Sequence, residues 1–340
     1  MNFLNNKLKI FIAGSNGMVG SAICRLLNKH NFNNQNLLTP SRRDLDLTET
    51  TKVIEYFSLN KPDIVIIAAA KVGGIMANNN KPVEFLIENL KIQNNLIEAA
   101  YTFGAKRLLF LGSSCIYPKF AKQPIKEEYL LTNTLEETNQ WYAIAKIAGL
   151  KLCEAYRKQF DFDAISLMPT NLFGQKDNYD SEESHVMAAL IRKFYEAKYN
   201  NYKKVICWGS GKPLREFLYV DDFADACIFT LNNWFPNEKN SPKHSNGKPL
   251  AWLNVGSNYE ITIKDLAEKI SAIIGYKGEI IWDKSKPDGT PRKKLDNSQI
   301  NKLGWNAKTD LETGIKQSID FFEKDFFKKN LSNNLSTKIS

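Results

Sequence analysis

Nowhere in the 340 residues does an apolar run approach the length of a membrane span. The opening MNFLNNKLKIFIAG has a lysine-bearing start, but its apolar stretch is too short for a secretory leader, so the expectation is a soluble cytoplasmic protein. Cysteine is sparse. Cys24, Cys115, Cys153, Cys207 and Cys227 are odd in number and lack paired or metal-type spacing, which argues against a disulfide framework and fits free thiols in a reducing compartment. Histidine is scarcer still: His30, His185 and His244 lie far apart, and no metal is expected. A basic stripe interleaved with aromatics is also missing. The formal charge is +9, yet Lys and Arg are spread among acids, which argues against a nucleic-acid partner and leaves steering of an anionic substrate. No internal repeat is present.

What is there has ordinary globular composition, 43% hydrophobic and 24% charged, with more length than one small core fills. KLKIFIA at residues 7–13 reads as a buried strand, and GSNGMVG opens a helix, SAICRLLNKH, with apolar residues at helical spacing. NLLTPS, DIVIIAAA and KRLLFLGSS read as further strands, separated by the helical stretches TETTKVIEYFSLN and VEFLIENLKIQNNLIEAAYTFG. A helix over residues 140–159 and the strand DAISLMP extend the series. Strands of nearly continuous Val, Ile, Leu and Phe alternating with long helices predict a doubly wound α/β fold, a parallel sheet covered on both faces. Residues 1–175 form this domain. Past Gly174 the pattern loosens, through the helix HVMAALIRKFYEAK, the short strand KVICWG and an aperiodic insertion at 233–250. Residues 176–214 and 233–325 are therefore assigned to a smaller, interleaved domain, with returns to the first near 215–232 and 250–258. Residues 326–340 read as a polar tail that frays.

Gly14, Gly17 and Gly20 stand between the first strand and the first helix. Glycine permits the tight turn and the approach of a pyrophosphate, and the helix N-terminus offers N–H groups and positive dipole, so the reading is dinucleotide binding. After the second strand, TPSRRDLDL places Arg42 and Arg43 where a base would meet an NADP phosphate; Arg42 is the better placed, and Asp46 and Leu47 border the adenine. In NQWYAIAKIAG, Tyr142 and Lys146 share one helix face. A phenol with pKa near ~10 is a poor acid-base group at neutral pH; an adjacent ammonium and the positive nicotinamide ring are expected to lower it. Ser113 or Ser114, at the end of the preceding strand, could hydrogen-bond the same substrate oxygen.

Together, GSNGMVG, LGSSCIYP and YAIAK resemble the extended short-chain dehydrogenase/reductase superfamily. AAAKVGGIMANN, MPTNLFG, the helix starting at His185, WGSG with REFLYVDD, and SKPDGTPRK narrow the resemblance to the GDP-L-fucose synthase family, over residues 8 to 325. The resemblance implies a Rossmann domain and an NADP(H)-dependent 3,5-epimerisation and 4-keto reduction of the nucleotide sugar GDP-4-keto-6-deoxy-D-mannose. It makes Cys115 the base and His185 the acid of epimerisation, Ser113 the group that polarises the ketone, and Tyr142 its proton donor, with Lys146 tuning Tyr142 and holding the ribose. For the cofactor it implies Ser15, Asn16, Met18 and Val19 beside the three glycines. Leu111, Gly112, Ser113, Ser114 and Lys146 follow, then Pro169, Thr170, Asn171, Leu172 and His185. Lys193, Trp208, Arg215 and Lys293 match positions lining the substrate, the cations meeting its diphosphate. Asn16 and Lys193 depart from the arginines of related enzymes; lysine keeps the charge and loses the fork. A homodimer is implied, through helices near 85–103 and 141–159.

Overall fold

The computed structural model describes residues 3–181, 183–286 and 288–336. The first half alternates strands with helices, two of them between β3 and β4: β1 (Ile10–Ala13), α1 (Met18–Lys29), β2 (Leu37–Leu38), α2 (Thr50–Asn60), β3 (Ile64–Ile67), α3 (Ile75–Asn80), α4 (Pro82–Thr102), β4 (Arg107–Leu111), α5 (Gln140–Phe160) and β5 (Ala164–Pro169). These strands and the later β9 pair in parallel in the order β2-β1-β3-β4-β5-β9. Successive side chains on a strand point to opposite faces, so a sheet covered on both sides needs apolar residues at every position. In β1, Ile10 and Ile12 enter one core with Ile23 of α1, whereas Phe11 and Ala13 enter the other with Phe57 of α2 and Leu150 of α5. The order reverses between β1 and β3, which opens a crevice beyond their carboxyl ends.

The second half continues through β6 (Asn171–Phe173), α6 (Val186–Tyr199), β7 (Lys204–Trp208), β8 (Leu214–Tyr219), α7 (Val220–Asn233), β9 (Trp252–Val255), β10 (Glu260–Thr262), α8 (Ile263–Ile274), β11 (Glu279–Asp283), β12 (Arg292–Lys293), α9 (Ser298–Lys302) and α10 (Leu311–Ser336). β8 pairs with β6, β10 and β12 in a second sheet, and β7 pairs with β11. A third core, with Phe194 of α6, Leu266 of α8 and Ile315 of α10, holds this region together.

Two expectations change. Residues 215–219 do not return to the nucleotide sheet; β8 belongs to the second one, and only α7 packs back, against α1. The reason is that β8 is buried on both faces, with Phe217 and Tyr219 in the third core and Leu218 in the first, so its sequence reads the same in either sheet. The tail expected to fray continues as helix through Ser336. Phe322 and Phe326 dock on Tyr195, and Phe327 on Tyr199, so aromatic burial outweighs the polar composition. Residues 337–340 lie outside the described ones.

Candidate active site

The turn after β1 is built for a close ligand. Gly14 has φ +79°, and a side-chain carbon at Gly20 would lie 2.2 Å from the Gly14 carbonyl oxygen. No side chain caps α1 and no acid occupies its first turn, so Gly17, Met18, Val19 and Gly20 present backbone and positive dipole to the crevice. Ser15 reaches the Thr39 carbonyl at 3.5 Å, tying this turn to the end of β2. Arg42 and Asn16 are exposed. Thr48 donates to Asp46 through its amide and hydroxyl, which holds that carboxyl below its usual range. Leu47 is half-buried, and its carbonyl accepts from Asn95.

β4 stops at Leu111, earlier than KRLLFLGSS suggested, and Ser113 then caps a short turn at Ser114–Ile116 by accepting from the Cys115 amide at 3.2 Å. The hydroxyl and thiol cluster is thus a turn lifted off the sheet at its carboxyl edge. Cys115 is half-buried, with Asn139 Nδ2 at 3.4 Å and Lys293 Nζ at 3.7 Å from its Sγ. Helix α5 lies over the turn. The Tyr142 phenol meets the Ser113 hydroxyl and faces Cys115.

Lys146 alone does not lower Tyr142. Lys146 is buried, and its Nζ donates to the Leu111 carbonyl at 2.8 Å, 5.9 Å from the Tyr142 ring centre. Burial pushes the phenol well above its usual range, and the opposing effect comes from Ser113. Burial also brings the Lys146 ammonium down to about 8. His185 stands at the N-cap of α6, where its ring makes no capping bond. Its approach is held by Gly74, whose amide donates to the Glu183 carbonyl at 2.9 Å. Enclosure by protein, then the charge of Lys293, hold the imidazole below its usual value although the residue keeps an exposed surface.

The four substrate residues fall into two places. Trp208, at the end of β7, is 47% exposed, and Lys193 and Lys286 lie over its ring at 5.1 and 5.4 Å. Arg215 and Lys293 instead meet near Cys115: Arg215 faces Cys115 and Glu136, and Lys293 reaches the sulfur itself. Thr170 and Asn171 donate to the Glu216 carbonyl at 3.1 and 2.7 Å, joining the β5–β6 corner, with Pro169 and Leu172, to the strand that carries Arg215. Sequence reasoning missed Asn139 and Lys286. Asn139 stands just ahead of Tyr142, a position open to inspection; Lys286 carries no sequence signal, because only folding brings it to Trp208.

Residues 10–246 match the model of the NAD dependent epimerase/dehydratase family. GDP-L-fucose synthase 1 of Arabidopsis thaliana is 52% identical over 93% of this chain and 94% of its own length. GDP-L-fucose synthase of Escherichia coli strain K12 is 46% identical over 93% of this chain and 97% of its own. The chain belongs to the GDP-L-fucose synthases of that family. In agreement, the structure of a GDP-L-fucose synthetase from Naegleria fowleri bound to NADP superposes with a TM-score of 0.82, at 27% identity over 95% of this chain and 96% of that one. Within this fucose synthase fold the turn at Ser113–Cys115 follows β4, Tyr142 and Lys146 lie on α5, and His185 stands at the start of α6.

Proposed function

We propose that this chain converts GDP-4-keto-6-deoxy-D-mannose to GDP-L-fucose by 3,5-epimerisation and NADPH-dependent 4-keto reduction, with Ser113, Cys115, Tyr142, Lys146 and His185 as the reacting or assisting groups. The observation that carries this reading is the linkage of the thiol, phenol and imidazole around one turn: Ser113 and Cys115 bear on Tyr142, and Lys293 bears on both Cys115 and His185.

The residues present suit the cofactor. The Gly14–Gly20 approach leaves no room for a side chain, and the uncapped start of α1 suits the pyrophosphate. Arg42 would meet the 2′-phosphate and Lys146 the ribose. When bound, NADPH supplies the hydride for carbon 4. Cys115 takes the proton from the carbon beside the ketone, and His185 returns one to the opposite face. Ser113 and Tyr142 hold the ketone oxygen as its charge develops. Tyr142, kept protonated by burial, then gives its proton to that oxygen. Trp208, Lys193 and Lys286 are suited to the nucleotide and diphosphate, and Arg215 to the phosphate nearer the sugar.

A cytoplasmic homodimer fits this reading. It is supported by the unpaired cysteines and by exposed apolar side chains on the packed pair α4 and α5, among them Ile87, Trp141 and Ile144. The deciding experiment incubates the protein with the keto-sugar nucleotide and NADPH and determines product stereochemistry. Stoichiometric NADPH consumption with inversion at both carbons is expected; turnover of the sugar without net NADPH loss would instead mark a cofactor-recycling epimerase.

A further inference from the structure

Two carbons are inverted in turn under the reaction proposed above, on which this inference rests, yet one thiol and one imidazole serve both. After the first inversion Cys115 holds a proton and His185 has lost one. The second inversion needs a thiolate and an imidazolium again. Before the second inversion a proton must therefore leave the Cys115 side and one must reach the His185 side.

Lys293 touches the first and its charge is felt at the second. Its Nζ is a hydrogen-bond donor to Cys115 Sγ at 3.7 Å, and its charge faces His185. Its neighbour Arg292 pairs with Glu260 instead. The other groups facing the thiol are poorer carriers. Arg215 does not give up a proton in proteins. Glu136 lines the small cavity beside Cys115 but is engaged by Thr138 and by Lys119 at 3.7 Å. Tyr142 is committed to the ketone oxygen.

We propose that Lys293 is the proton relay that resets the Cys115 and His185 pair between the two epimerisations, a role beyond the diphosphate contact its sequence match implies. The ammonium gives one N–H proton to the imidazole nitrogen, and the freed lone pair takes the S–H proton of Cys115. One S–H bond breaks and one imidazole N–H bond forms, the lysine ends as it began, and total charge is unchanged. No oxidant or co-reactant is needed. The state reached is chemically the same as the one that began the first inversion.

The test follows deuterium uptake into the keto-sugar nucleotide in D2O by mass spectrometry, with NADP+ present so that no reduction follows. Lys293→Arg keeps the charge but cannot release a proton. In this variant the second deuterium is expected to enter about 100-fold more slowly relative to the first than in the wild type, so a singly labelled sugar accumulates. Lys293→Met is read by the same ratio of second to first exchange, should the arginine variant not fold. Both deuteriums entering at wild-type rates, or both slowing equally with a raised KM, overturns the relay and leaves Lys293 a binding group. Absence of exchange in the wild-type enzyme overturns the proposed reaction itself, and the relay with it.

Discussion

At Tyr142 the phenol is drawn into protein far enough that burial pushes it well above its usual range, with only Ser113 opposing. A donor to a ketone oxygen needs its proton in place at neutral pH, and this environment provides it. Tyr142→Phe should lower the rate of NADPH oxidation by about 100-fold or more while NADPH affinity, read by fluorescence titration, stays within about 2-fold. Comparable losses in both would remove Tyr142 as the donor. Lys146, brought down to about 8, should impose a limb on the pH profile of reduction. Below that value the ammonium is charged, and as pH rises through it the charge and the activity fall together. Lys146→Arg, whose guanidinium stays charged, should carry the limb to higher pH in the same assay. For Cys115, replacement by serine should slow solvent-deuterium entry into the sugar by about 100-fold with NADPH still bound; unchanged exchange would contradict its role as base.

Elements set the precision of these groups. The turn from β1 into α1 is crowded, and Gly20→Ala would drive a methyl carbon to 2.2 Å from the Gly14 carbonyl oxygen. The turn must open to relieve it, an overpacking cost of about 1–3 kcal/mol. NADPH affinity should weaken by about 10-fold or more, with a lower melting temperature in the apo protein; a variant that binds as tightly as wild type would show that the turn is not the pyrophosphate cradle. This turn was legible because its glycines, its strand and its helix are adjacent in the chain. The place of β8 was not, since a strand buried on both faces carries no mark of which sheet it joins. The continuation of α10 was equally hidden, because Tyr195 and Tyr199, which receive its aromatics, are more than a hundred residues away in the chain.

For the whole molecule, α4 and α5 pack on each other and leave Ile87 and Ile144 exposed at 44% and 40%. If these helices join two copies, Ile87→Glu combined with Ile144→Glu should convert a dimer to a monomer in sedimentation velocity, since charges in an apolar interface are costly. A dimer that survives both changes must use another face. The sequence by itself determined the doubly wound order, the glycine turn and the shared helix face of Tyr142 and Lys146, because each depends on residues within one or two helical turns or on strand hydrophobicity. Tertiary structure alone decided that Lys293 meets Cys115, that Lys286 shares Trp208 with Lys193, and that burial raises the Tyr142 phenol. Contacts between residues distant in the chain, and the loss of water around a side chain, exist only once the chain has closed on itself.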